Sequence, residues 1–202
     1  MRNILWFFAI GALIGCSAST QKEGQKHDSQ ALEEAINQIT GEQVELPAGM
    51  TQWKEGKDFV WFSDNEAQTM RNICLYTYPG DTLDEALVVS KRDSVMQRNI
   101  PGERAGMYMH TEKQVPVRHS RLMWEGTPLL RSVGQWEMEG DAMGGPFVCH
   151  SWVDTTRGCI VVAEAFVYAP GRNKSEVMKR LEAQLLKLNI HQKTMINRNK
   201  DN

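Results

Sequence analysis

The chain has 202 residues, with 23 basic and 25 acidic side chains, a formal charge of −2 and 41% hydrophobic residues. That length suits one domain with a self-sufficient core, and a charge so near zero does not suggest nucleic-acid binding, which calls for a basic face. The first element in chain order is an apolar run over residues 4–14, behind Arg2. It has about half of the roughly 20 residues needed to cross a bilayer, so it reads as the apolar part of an export signal rather than a membrane span.

The run ends in Leu13-Ile14-Gly15-Cys16, which resembles a bacterial lipobox. The resemblance implies that residues 1–15 are removed as a signal peptide. Cys16 then becomes a lipidated amino terminus whose acyl chains, palmitate among them, hold the protein on a membrane. Ser17 follows where an aspartate would stand in an inner-membrane lipoprotein, so the resemblance favours the outer membrane. No acidic cluster follows Cys16, which favours the periplasmic side. Residues 16–28 carry no large apolar side chain and read as a tether with a reach on the order of 20 Å. With Cys16 lipidated, Cys74, Cys149 and Cys159 remain, an odd number that allows at most one disulfide and leaves the pairing open. They read mainly as small buried apolar residues.

Residues 29–190 carry the signals of one folded domain. Leu32, Ala35, Ile36 and Ile39 recur at helical spacing, and Gly41 ends that helix. Aromatic and β-branched runs over residues 59–62 and 73–78 predict two strands. Thr82-Leu83-Asp84-Glu85 reads as a capping box that opens a helix to about Asn99, and Ile100-Pro101-Gly102 stops it. Five more strands are expected over residues 107–111, 115–124, 129–138, 147–153 and 160–168, with a tight turn at Glu125-Gly126. A last helix begins near Asn173 and lines up Val177, Met178, Leu181, Leu185 and Leu188. Residues 191–202 read as a polar tail.

This pattern predicts an α+β domain: a single antiparallel sheet of six or seven strands packed against two or three helices. The layout resembles the fold of the photosystem-II extrinsic subunit and Mog-type proteins, an analogy of fold alone. Residues 59–190 also resemble an uncharacterised family of Bacteroidetes lipoproteins. The likeness rests on Lys91-Arg92-Asp93, Asn99-Ile100-Pro101-Gly102-Glu103, Gly106-Met107-Tyr108-Met109, Gly144-Gly145-Pro146-Phe147, Val167-Tyr168-Ala169-Pro170 and Leu181-Glu182-Ala183. It implies an envelope location and brings no activity with it.

Reactive side chains are present without the spacing that chemistry needs. His110, His119 and His150, with Glu112 and Glu164, carry no metal motif. Met107 and Met109 share a strand face and suit a core as well as copper(I). No cysteine sits beside a helix amino terminus or a cationic cluster, and Ser120 beside His119 lacks a nucleophile elbow. No catalytic residue, metal ligand or cofactor is assigned. The glycine-rich loop over residues 139–146 is the best candidate for binding, with Gly144 and Gly145 exposing backbone amides. Trp136, Trp152 and Arg131 would offer aromatic faces and a guanidinium to a peptide or glycan. Lys91-Arg92-Asp93 with Arg98 reads as a solvated helix face.

The expected function is a lipid-anchored envelope module that binds a protein or envelope ligand without catalysis; the alternative is a lipid-anchored envelope hydrolase. A histidine bonded to a buried carboxylate and facing a pocket would favour the enzyme.

Overall fold

The computed structural model describes residues 30–41, 44 and 49–188. The predicted signal peptide, Cys16, the tether and the polar tail lie outside them. Helix α1 occupies residues 30–40 and ends at Gly41, whose φ of 78° is the left-handed conformation that closes a helix. Arg157 then donates to the carbonyls of Gln38 and Ile39 at 3.2 and 2.8 Å, joining the end of α1 to a hairpin turn of the sheet.

The sheet has eight strands: β1 (Gln52–Gly56), β2 (Phe59–Ser63), β3 (Met70–Pro79), β4 (Met109–Thr111), β5 (Arg118–Trp124), β6 (Thr127–Met138), β7 (Gly144–Asp154) and β8 (Cys159–Tyr168). Every pairing is antiparallel, in the order β1-β2-β3-β8-β7-β6-β4, with β5 on β6 beside β4. The α+β expectation holds. Strand β1 is the addition to the seven predicted, because its sequence has one large apolar residue, Trp53, and no alternation to announce it.

Helix α2 (Glu85–Asn99) lies on one face of the sheet, and α1 and α3 (Ser175–Leu188) lie on the other. Leu32, Ile36, Leu181 and Leu185 pack with Ile73, Leu75, Val161 and Ala163 on the α1/α3 face. Val88 and Met96 pack with Cys74, Tyr76, Ile160 and Val162 on the α2 face. Both faces are therefore covered, which explains the near-continuous apolar sequence of β8. The amino-terminal cap of α2 differs from expectation. Asp84 rather than Thr82 accepts from the Leu87 amide, at 2.7 Å, since a carboxylate is the stronger acceptor at the positive end of a helix.

Candidate functional site

The residues proposed for ligand binding do not line one surface. Gly144 and Gly145 are paired within β7, opposite Glu137 and Trp136, and the turn before them is only residues 139–143. A Cβ at Gly145 would collide with the Val167 carbonyl oxygen, so this glycine serves close packing between strands. Trp136 is buried on the α2 face against Phe166 and Tyr168. Trp152 is buried on the opposite face. Arg131 is held by Glu182 of α3.

The charges expected on a solvated helix face include the most buried cation of the described residues. Arg92 is 1% exposed, and it reaches Glu164 at the centre of β8, which is fully buried. Its Nε donates to the two carboxylate oxygens at 3.1 and 3.0 Å, and Nη2 adds a bond of 2.8 Å. The Phe147 ring lies 3.9 Å below the guanidinium carbon. Tyr76 donates to Glu164 at 3.4 Å, and Arg92 also donates to Thr111, which is bonded in turn to Asp93. Burial pushes the Glu164 carboxyl above its ordinary value, against the pull of Arg92. Burial, the largest single influence on Arg92, would discharge it, but the charge and hydrogen bonds of Glu164, with Tyr76 and Cys149, together outweigh it and hold the guanidinium protonated.

Cys74 and Cys149 flank Glu164 in register, each on a neighbouring strand. Two strand spacings, about 9.6 Å, separate them, which is too far for a disulfide. Both are free thiols, as is Cys159. Burial pushes Cys149 up to about 12 and raises Cys74 well above the ordinary thiol value, so neither is a poised nucleophile.

The histidines are dispersed. His110 is buried beside Glu137 and Glu139, at 3.6 and 3.4 Å. His119 pairs across the hairpin with Ser132, whose hydroxyl lies 2.8 Å from Nδ1, rather than with its sequence neighbour Ser120. His150 Nε2 lies 3.1 Å from Glu182, whose other carboxylate oxygen accepts from Arg131 at 3.0 Å. The bond from His150, followed by those from Arg131, holds Glu182 down to about 2 in spite of partial burial. His150 thus has its carboxylate but no pocket, for its side chain is wholly buried. Among the described residues no three His, Cys, Asp or Glu side chains are grouped to hold a metal ion. Met107 and Met109 are core residues of the α2 face.

Two open features of the described residues lie at the ends of the sheet. At one end Trp61, Met70 and the β1 residues Gln52, Trp53 and Lys54 border a small apolar groove with room for about 20 Å³, roughly one water. At the other, β5 pairs only with β6, and among the described residues its outer edge makes no backbone hydrogen bond. The exposed large apolar side chains of the described residues are Leu87, Val115, Leu122 and Met123. Two lie on β5, Val115 lies just before it, and Leu87 lies in the first turn of α2; the Leu83 carbonyl, ahead of that helix, accepts from Arg121 of β5 at 3.1 Å.

With this geometry in view, comparison with known proteins gives one match: the family described as Domain of unknown function (DUF4837), over residues 29–187. The chain belongs to that family. No curated protein and no solved structure matches. The matched region takes in all three helices and all eight strands apart from the last residue of α3, so both clamped helices and β5 lie within it.

Proposed function

We propose that this protein is a lipid-anchored component of the cell envelope, facing the periplasm from the outer membrane, and that it works as a non-catalytic binding or accessory module for a partner protein. The lipobox Leu13-Ile14-Gly15-Cys16 behind a short apolar run supports the anchor, and the likeness to Bacteroidetes lipoproteins supports the location. The observation that carries the binding role is the pair of exposed large apolar side chains on β5, Leu122 and Met123, with Val115 just before it, on a strand whose outer edge has no backbone partner among the described residues. Scattered singly they would need no explanation; gathered at a bare strand edge they suit an interface.

A lipid-anchored hydrolase is the second reading, and the His119–Ser132 bond of 2.8 Å is what favours it. Ser132 is 1% exposed, which leaves no room for a substrate carbonyl, so this reading ranks below the first. Two measurements test the proposal. Labelling with palmitate should mark the wild-type chain and fail on Cys16→Ala; label retained by the variant would remove the anchor. A fluorophosphonate probe should leave Ser132 unmodified, and a Ser132 adduct would bring the hydrolase forward.

A further inference from the structure

We propose that β5 is a strand-addition site for an extended, acidic and apolar segment of a partner protein, a refinement that rests on the binding-module reading above. Strand addition needs a bare ladder, side-chain contacts on alternating positions and a reason to exclude the wrong strand. The edge of β5 offers each.

The ladder is seven residues long, within the usual range of a strand, and its outer amides and carbonyls have no backbone partner among the described residues. Alternation assigns the side chains. His119 bonds Ser132 and Arg121 bonds the Leu83 carbonyl, so His119, Arg121 and Met123 point to the α2 face. Arg118, Ser120, Leu122 and Trp124 point to the other, where Trp124 packs against the α1/α3 core. Met123 is 67% exposed on the α2 side, and Leu122 is 37% exposed on the other. An incoming strand thus meets apolar contacts above and below its backbone.

Charge selects which strand. The seven residues of β5 include Arg118 and Arg121 and no acid. Antiparallel self-pairing over the full strand sets Arg121 opposite Arg121, so a second copy is repelled. The same arginines do not repel an acidic strand. Arg121 already shares the neighbourhood of Asp84 and Glu85 at the start of α2, which leaves Arg118, exposed on the other face, as the residue that chooses a carboxylate. Edge β1 has none of this: it has five residues, mixes Lys54 with Glu55 and carries none of the exposed large apolar side chains.

The test uses the full chain and two acetylated peptides, one of alternating Val and Glu and one of alternating Val and Lys, read by backbone amide exchange. The glutamate peptide should slow exchange at alternate amides of residues 118–124 and lose affinity as salt rises. Arg118→Glu should weaken it about tenfold and favour the lysine peptide by a similar factor. Equal protection by both peptides, protection confined to another region, or no protection at millimolar peptide would overturn the proposal. A photo-reactive residue in place of Met123 or of Lys54, in the cell envelope, separates it from the broader reading. Adducts at position 123 that Arg118→Glu abolishes support it. Adducts at position 54 alone remove the β5 site and leave a binding module, and adducts at neither position remove both.

Discussion

The two faces of the sheet hold their helices with the same chemistry at different depths. On the α2 face the helix supplies the cation, Arg92, to a carboxylate at the centre of the sheet, and both side chains are at most 1% exposed. On the α3 face the sheet supplies the cation, Arg131, and the helix supplies Glu182, with 32% and 22% exposure. A charge removed from water must be compensated almost completely, whereas a half-exposed one falls back on solvent when its partner is lost. The difference teaches that the geometry of an ion pair says less about its worth than its depth. The inner clamp is costly to build and unforgiving to break; the outer one is adjustable.

Removing one side of the inner clamp is the sharpest way to break the comparison. Arg92→Met should lower unfolding free energy by about 3–5 kcal/mol, because Glu164 would be left buried and unpaired. The double variant Arg92→Met with Glu164→Leu should recover most of that loss, since an apolar pair of similar volume has no charge to desolvate. Urea unfolding of the two variants measures the difference. If the double variant were as unstable as the single one, packing around the guanidinium, and its contact with Phe147, would be the larger effect.

That clamp was hidden by local reading. Helical charge suggests solvent, and Lys91-Arg92-Asp93 looks solvated one residue at a time. Yet Val88, Arg92, Met96 and Asn99 form one buried stripe, and Glu164, alone among apolar neighbours in β8, requires a cation from somewhere. Reading the two together would have found the pair. The His119–Ser132 contact was also within reach. A two-residue turn with Glu125 and Gly126 both at positive φ fixes the hairpin register, and that register sets His119 opposite Ser132. The central strands and helices α1 and α3 were legible because their periodicity reflects burial, whereas α2, whose buried stripe includes Arg92 and Asn99, was legible only from the signals at its two ends. What sequence cannot show is which residues of β6 and β7 share a side of the sheet with which helix. Trp136 and Trp152 therefore looked like neighbours and stand on opposite faces.

The outer clamp should respond less to mutation and more to pH. Glu182→Gln should cost about 1–2 kcal/mol, a charge-assisted bond discounted for solvent exposure. Its acid response has a defined sign. The folded-state value of Glu182 lies below its unfolded one, so the stabilisation is present above about pH 4.5 and is lost as pH falls toward about 2. Glu164 works in the opposite direction, because burial raises its folded-state value and the folded chain takes up that proton first. Thermal unfolding between pH 6 and pH 2 should therefore show a shallower acid limb in Glu182→Gln than in the wild type. A limb of unchanged slope would assign acid sensitivity to other carboxylates.

The smallest effect completes the series. Glu176 and Lys179 form a third ion pair, three residues apart on α3, at 2.8 Å and with both side chains 72% exposed. Its separation equals the shortest contact between Arg92 and Glu164. If distance determined the strength of a pair, Glu176→Gln would be as damaging as a break in the inner clamp. Water on every side screens the attraction and accepts the freed charge, and two long side chains regain rotamer freedom when released. The urea midpoint of Glu176→Gln should coincide with that of the wild type, at low salt as well as high. A shift comparable to that of Glu182→Gln would mean that helix α3 itself, rather than the depth of its contacts, limits the stability of this face.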